Sequence, residues 1–309
     1  MSMDIQILAQ KFYDYSLYIR GYSPATIKRY KTIIKIFCRF ANLSRIEEVT
    51  NEGVRALFFY GRTQRNWKPA SFIIFHKSLL VFFRWCVEGG YLKTNPAQDI
   101  EVPKLETKLP SPLKKQDALR LLEVVYNYPY EDTYLRYRNH AMFSTFLFAG
   151  LRRKELLNLK LTDVDVDNFT IFVNQGKGNK DRIIPMSYTL AQTLKRYLEE
   201  RKRLKKTCPT FFASWTTNSG FTEHGLKHLV NILRDASNMK FTIHKLRHTF
   251  ATLMIEGGCD IYSLSKMMGH SDISTTTIYL SASVEHLRSQ MIKHPMNDID
   301  LPDRRKPLQ

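Results

Sequence analysis

The stretch HKLRH, residues 244–248, places one histidine three residues before an arginine and a second histidine directly after it. The sequence predicts a helix here, from His244 to Glu256. Residues three apart lie on nearly the same face of a helix, so His244 and Arg247 would project together. A histidine so placed would handle a proton or bind a phosphate oxygen, and an arginine binds two oxygens at once.

Two further features precede this stretch, GLRRKEL at residues 150–156 and GKGNK at 176–180, and two follow it, GH at 269–270 and Tyr279. Cleavage of a phosphodiester spreads negative charge over the phosphate oxygens, and Arg152 and Arg247 are suited to hold them. Tyr279 would be the nucleophile, and Lys177, at a predicted hairpin tip, would protonate the leaving oxygen. Taken singly, each of these signals is weak, and only their combination in this order indicates a site for phosphodiester cleavage.

The chain is strongly basic, which bears on its partner. Its 309 residues leave room for two domains, and 43% of them are hydrophobic. Lys and Arg number 47 against 29 Asp and Glu, which gives a net charge of +18. Such a charge favours a nucleic acid as partner, ahead of an anionic membrane surface or an inert basic surface.

Membrane, metal and cofactor signals are weak in this sequence. The N-terminus lacks the pattern of a signal peptide, and the most apolar stretch, Ser71 to Trp85, contains three basic residues. The cysteines at positions 38, 86, 208 and 259 form no C-x-x-C pair and indicate reduced thiols in a cytoplasm. We expect no metal, because His224 and His228 lack an H-E-x-x-H context, and no nucleotide loop is present.

The first hundred residues predict a helical bundle. Ser23-Pro24 is a typical helix start, and further helices are expected from Asn51 to about Tyr60 and from about Ala70 to Val87. Four prolines and mixed charges between Asn95 and Pro112 indicate a linker.

The remainder predicts a mostly helical domain with a small β-hairpin, whose strands are Asn168 to Val173 and Arg182 to Pro185. The helices are expected at 113–126, 189–205, 223–236, 244–256, 261–268, 274–280 and 284–292. The polar tail after Pro295 predicts a loose end.

Taken together, these motifs resemble the tyrosine recombinase family, also called the phage-integrase or Xer-like family. Its members combine G-L-R-x-x-E-L, a hairpin lysine, H-x-L-R-H, G-H and a tyrosine nine residues later, and every element occurs here in order. The resemblance implies a mainly α fold with four parts: a helical, SAM-like core-binding domain at 1–95, a linker at 96–112, a catalytic domain at 113–295, and a polar tail at 296–309.

The resemblance also implies roles for single residues. Tyr279 would form a 3′-phosphotyrosyl bond and free a 5′-hydroxyl, Arg152 and Arg247 would bind the scissile phosphate, and Lys177 would act as general acid. His244 and His270 would assist proton transfer and phosphate binding, with Glu155 in support. The covalent bond conserves the phosphodiester energy, so no cofactor is expected.

DNA contacts are expected mainly with phosphates. The candidates are Lys28, Arg29, Arg62, Arg65, Lys68, Lys180 and Arg182. The resemblance implies double-stranded DNA with inverted-repeat core sites, a homotetramer assembled on it, a possible second recombinase or accessory factor, and a cytoplasmic, nucleoid-associated protein. Val284 to Ile292 would pack either on a neighbouring protomer or on its own domain.

Two other functions remain open at this point. A non-catalytic DNA-binding accessory protein is disfavoured because Arg152, Arg247 and Tyr279 are all present. A type IB topoisomerase would share the chemistry, but the helical N-terminal part and the H-x-L-R-H and G-H motifs favour recombination. The core-binding part starts almost at residue 1, which favours a simple Xer-type or mobile-element enzyme over the larger phage integrases.

Overall fold

The computed structural model describes residues 3–105, 111–174, 181–270, 275–277 and 279. The chain comprises two compact units, Met1–Thr107 and Lys108–Gln309. The fold is mainly helical with one small antiparallel sheet, which confirms the predicted fold class.

The first unit is a helical bundle. Its helices are α1 (Ile5–Asp14), α2 (Pro24–Ala41), α3 (Asn51–Thr63) and α4 (Pro69–Glu88). The predicted start of α2 is confirmed, since the Ser23 hydroxyl accepts a hydrogen bond from the Thr26 amide and Pro24 opens the helix. Aromatic side chains fill the core, where Phe12 packs against Phe82 and Phe37 against Phe83.

Helix α4 is apolar along most of its length. Among the described residues it is the one helix long and apolar enough to cross a membrane, despite the three basic residues between Ser71 and Trp85. One face of α4 lies in the core of the first unit, with Leu79, Phe82 and Phe83 fully buried. His76 is buried too and hydrogen-bonds to the Ala97 carbonyl oxygen at 3.0 Å. The core position accounts for the apolar composition.

The cysteines are free thiols. Cys38 and Cys86 are buried, as their apolar surroundings predict. Burial raises the pKa of Cys38 to about 11 and that of Cys86 to about 12, so both thiols stay protonated at neutral pH.

The second unit is built around a buried helix. Its helices are α5 (Lys115–Asn127), α6 (Thr133–Ala149), α7 (Arg153–Asn158), α8 (Tyr188–Arg203), α9 (Glu223–Ser237), α10 (Ile243–Glu256) and α11 (Ile261–Met268). Helix α6 packs against α5, α8 and α10. Phe143 and Phe146 of α6 are fully buried, and the sequence patterns had not predicted this helix.

A three-stranded antiparallel sheet completes the second unit. Its strands, in spatial order, are β1 (Val164–Asp165), β2 (Thr170–Val173) and β3 (Arg182–Pro185). The register pairs Ile171 with Ile184 and Val173 with Arg182, which confirms the predicted hairpin strands. The hairpin tip with Lys177 and Lys180 lies outside the described residues.

The end of the chain is described only in part. Residues 275–277 and Tyr279 are helical, in agreement with the helix predicted there. The predicted helix 284–292 and the predicted loose tail 296–309 lie outside the described residues.

Candidate active site

A glycine turn between two helices presents Arg152. Gly150 ends α6 in the left-handed conformation, with φ at 61°. A Cβ atom at this position would lie 2.2 Å from a ring carbon of Phe250, so no larger residue fits. The chain turns sharply here, and Arg152 precedes the first residue of α7.

Glu155 holds Arg152 from the first turn of α7. Its carboxylate accepts hydrogen bonds from the Arg152 backbone amide and from Arg152 Nη1, both at 2.7 Å. Arg152 Nη2 donates to the Gly269 carbonyl oxygen at 2.8 Å. The arginine side chain, 22% exposed, is therefore fixed on both sides while part of it faces solvent.

Arg182 has a different position from the one predicted. We expected a DNA phosphate contact, but its side chain is only 8% exposed and forms a bidentate ion pair with Glu155, at 3.0 and 2.8 Å. Its Nε donates to the Met267 carbonyl oxygen at 2.7 Å. With these donors used inside the protein, Arg182 joins the start of β3 to α7 and the end of α11 instead of reaching DNA.

The charge of Glu155 is strongly favoured. Burial would raise the pKa of its carboxyl, but the hydrogen bonds and positive charge of Arg182, together with those of Arg152, outweigh burial and hold this pKa at about 2. Glu155 therefore stays ionised throughout the neutral range and can support the neighbouring arginines.

Arg247 lies in the wall of the same site. Its guanidinium donates to the carbonyl oxygens of Gly150 and Met268, each at 2.5 Å, and to His270 Nε2 at 3.2 Å. Burial, with the charge of Arg152 adding to it, lowers the pKa of Arg247 to about 10. The side chain remains a cation at neutral pH, and two arginine cations thus share one site.

His270 is held by both ring nitrogens. A guanidinium only donates, so His270 Nε2 must accept the bond from Arg247, and Nδ1 then donates to Thr276 Oγ1 at 2.8 Å. Burial, followed by the charges of Arg247 and Arg152, lowers the pKa of His270 to about 4. A neutral His270 therefore ties Arg247 to the helical turn that carries Tyr279.

Tyr279 lies close enough to Arg152 and Arg247 for their positive charges to act on its phenol. Burial raises the pKa of its phenol, whereas the positive charges of Arg247 and Arg152 act in the opposite direction. The hydroxyl lies 2.7 Å from Nδ1 of His248, on α10. The site thus brings together Arg152, Arg247, His270 and Tyr279.

His244 and the DNA contacts predicted in the first unit lie at the surface. His244 is exposed, and its ring stacks beside that of His248, with centroids 6.3 Å apart. In the first unit Lys28, Arg29, Arg62, Arg65 and Lys68 are all exposed. No group of three or more potential metal ligands was found within the part of the chain that the structure describes.

The comparisons with known proteins agree with this geometry. The profile of the phage integrase family matches residues 112–286, and that of the phage integrase N-terminal SAM-like domain matches residues 8–91. The chain belongs to the phage integrase family. The predicted family and enzyme class, a tyrosine-type recombinase, are thereby confirmed.

Curated members of the phage integrase family resemble the chain over nearly its whole length. Tyrosine recombinase XerC of Oceanobacillus iheyensis is 31% identical over 303 residues, 94% of this chain and 97% of the relative. Tyrosine recombinase XerD of Listeria monocytogenes is 32% identical over 282 residues, 88% of this chain and 93% of the relative.

Solved structures show the same fold. The Tn1549 transposon integrase in complex with transposon right end DNA has a TM-score of 0.75 at 21% identity, covering 94% of this chain and 99% of that one. The XerH site-specific recombinase bound to a palindromic difH substrate has a TM-score of 0.71 at 21% identity, covering 92% and 83%. At such identities the likeness concerns the fold alone.

Sequence reasoning missed one residue of this phage integrase site. His248 is part of the HKLRH stretch, but the sequence patterns indicated no role for it. The signal was available, since His248 directly follows Arg247. Its contact with Tyr279 joins residues 31 apart in sequence, and only the fold reveals it.

Proposed function

We propose that the chain is a site-specific recombinase that cuts and rejoins DNA through a 3′-phosphotyrosyl bond on Tyr279. The observation that carries the proposal is the convergence of Arg152, Arg247 and Tyr279 in one site of the second unit. Two fixed cations beside a phenol suit an anionic phosphodiester that is attacked by a hydroxyl group.

The chemistry follows from these groups. Arg152 and Arg247 bind the non-bridging oxygens of the scissile phosphate, and Tyr279 Oη attacks the phosphorus. The bond from phosphorus to the 5′ oxygen breaks, and Lys177 protonates that oxygen. The reverse attack by a 5′-hydroxyl rejoins the strand. His244, exposed beside Arg247, contributes to phosphate binding, whereas His270 and Glu155 hold the arginines.

We further propose a homotetramer on double-stranded DNA with inverted-repeat core sites, acting in the cytoplasm on nucleoid or mobile-element DNA. Support comes from the solved relatives, which include a lambda integrase tetramer bound to a Holliday junction. The exposed basic residues of the first unit would contact phosphates.

A suicide-substrate assay tests the proposal. The protein and its Tyr279→Phe variant are incubated in EDTA with nicked DNA that carries a candidate site from beside the gene, and the products are separated on denaturing gels. We expect a protein–DNA adduct with the natural protein and none with the variant, because only the phenol oxygen can bond to phosphorus.

Binding to the same DNA is measured in parallel. An adduct that persists in Tyr279→Phe would contradict the assignment of the nucleophile. Absence of adducts across a randomised site library, with candidate partner recombinases supplied and DNA binding intact, would instead support a non-catalytic DNA-binding protein.

A further inference from the structure

The phenol of Tyr279 has a defined neighbour for its proton. The side chain is buried, with 2% of its surface exposed, and His248 Nδ1 lies 2.7 Å from the hydroxyl oxygen. The rings approach at a tilt, with centroids 5.6 Å apart. A phenol must lose its proton when its oxygen bonds to phosphorus, so the atom beside the hydroxyl matters for the chemistry.

The other two histidines of the site are less well placed to take this proton. His270 uses Nε2 to accept from Arg247 and Nδ1 to donate to Thr276, so both of its nitrogens are engaged. His244 is exposed, and its ring stacks on that of His248 from one turn earlier in α10.

The charges around His248 favour its neutral form. Burial lowers the pKa of His248, and the neighbouring His244 and Arg247 on α10 lower it further. His270, which follows α11, also faces it, and Tyr279 is its hydrogen-bond partner. A neutral imidazole has one nitrogen that accepts a proton, and a phenol near neutral pH has a proton to donate.

We propose that His248 is the general base of this enzyme, the group that takes the proton of Tyr279 during strand cleavage. The inference rests on the proposed function. As the Oη–P bond forms, the phenolic proton moves to His248 Nδ1, and the P–O5′ bond breaks with a proton supplied to O5′ by Lys177. On rejoining, the 5′-hydroxyl attacks phosphorus, O5′ returns its proton to Lys177, and Oη leaves with the proton from His248.

Replacement by asparagine separates basicity from positioning. In His248→Asn, the amide oxygen lies close to the place of Nδ1 and keeps a hydrogen-bond acceptor for the phenol, but it has no basic nitrogen. We expect single-turnover cleavage of the suicide substrate to slow by about 10²-fold or more. The matched control is His228→Asn, an exposed histidine on α9, which should cleave at the natural rate.

A modified substrate distinguishes His248 from Lys177. When sulfur replaces the bridging 5′ oxygen, the leaving thiolate needs no proton, so cleavage by Lys177→Ala should recover. Cleavage by His248→Asn should stay slow, because the phenol still has to lose its proton. The proposal would be overturned if His248→Asn cleaved the sulfur substrate at the natural rate. It would also be overturned if this variant cleaved the ordinary substrate within a few-fold of the natural rate.

The pH profile of the natural protein needs no substitution. On the sulfur substrate, single-turnover cleavage should rise with pH as His248 loses its proton, and the midpoint should lie below the ordinary pKa of a histidine because burial and the neighbouring positive charges lower the pKa of His248. A rate that falls as pH rises, or one whose midpoint lies above the ordinary pKa of a histidine, would overturn the proposal even if His248→Asn failed to fold. The two claims also fail separately. A natural protein that forms no adduct defeats the proposed function, whereas adducts with unchanged His248→Asn kinetics defeat only the role of His248.

Discussion

At the residue scale, the site depends on where each guanidinium points. Arg152 and its neighbour Arg153 adjoin in sequence, yet Arg152 is fixed by Glu155 and Gly269 inside the site. Arg153 forms an exposed ion pair with Glu223. This pair of arginines therefore offers a test in which the chemistry of the substitution is the same and only the location differs.

Replacing Arg152 by lysine should slow adduct formation by about 10²- to 10³-fold, because a lysine cannot donate two hydrogen bonds in the planar geometry of a phosphate. The measurement is single-turnover cleavage of the nicked substrate. Arg153→Lys, made in the same way, should cleave at close to the natural rate. An equal loss of cleavage rate in the two variants would show that Arg152 has no particular role in cleavage.

The sequence predicted much of the site at this scale. The order of Arg152, Arg247, His270 and Tyr279 along the chain was enough to name the family and to expect these side chains together. The net charge did not show which arginines are available to DNA, however. Arg138, Arg201 and Arg247 are all buried, at 5% exposed or less. A count of basic residues cannot tell a buried, hydrogen-bonded arginine from one at a DNA surface.

At the element scale, Glu155 and Arg182 join α7 to β3. Their side chains are 7% and 8% exposed, and the two hydrogen bonds between them hold the strand that follows the predicted hairpin tip. Removing one partner of a buried ion pair leaves the other as an uncompensated charge. The connection between these elements should therefore be visible in stability as well as in activity.

Glu155→Gln should lower the free energy of unfolding at neutral pH by about 3 to 5 kcal/mol. The pKa of Glu155 is about 2 in the folded protein against an ordinary 4.5, so its stabilising effect is full above the ordinary value and lost as pH falls toward the folded one. The difference in unfolding free energy between the natural protein and the variant should thus disappear over that acid range. Urea unfolding at several pH values measures it.

The control is Glu223→Gln, which removes the exposed pair with Arg153, whose side chains are 54% and 49% exposed. It should cost less than about 1 kcal/mol. A Glu155→Gln cost no larger than this would mean that the pair with Arg182 does not hold α7 and β3 together.

Secondary structure was predictable where one face of an element is polar. Helix α2 and strands β2 and β3 follow such patterns, and the structure confirms them. Helix α6 lies at the centre of the second unit with residues of every face buried, including Asn139, Ser144 and Thr145. A helix buried all round has no polar stripe, so its period does not appear in the sequence.

At the scale of the whole molecule, the net charge of +18 should be expressed in the salt dependence of DNA binding. Each phosphate contact that is lost lowers the slope of log affinity against log salt by about 0.9. Replacing the five exposed basic residues of the first unit, Lys28, Arg29, Arg62, Arg65 and Lys68, by glutamine should reduce the magnitude of that slope by about 4.5.

Arg203→Gln serves as a control that removes one positive charge from the second unit, where this arginine pairs with Asp132 and Glu200. Its slope should stay close to that of the natural protein. Fluorescence anisotropy with a labelled duplex over a salt series measures both variants. If the variant with all five substitutions kept the slope of the natural protein, the basic residues of the first unit would not make the phosphate contacts that we propose.

Mass spectrometry of the trapped adduct tests most directly whether Tyr279 bonds to DNA. After nuclease and trypsin digestion, the peptide Met267–Arg288 contains Tyr279 as its single tyrosine. We predict that this peptide carries a nucleotide through a 3′-phosphate on Tyr279, and that the modified peptide is absent from Tyr279→Phe. A nucleotide on a serine or threonine, or on any other peptide, would contradict it.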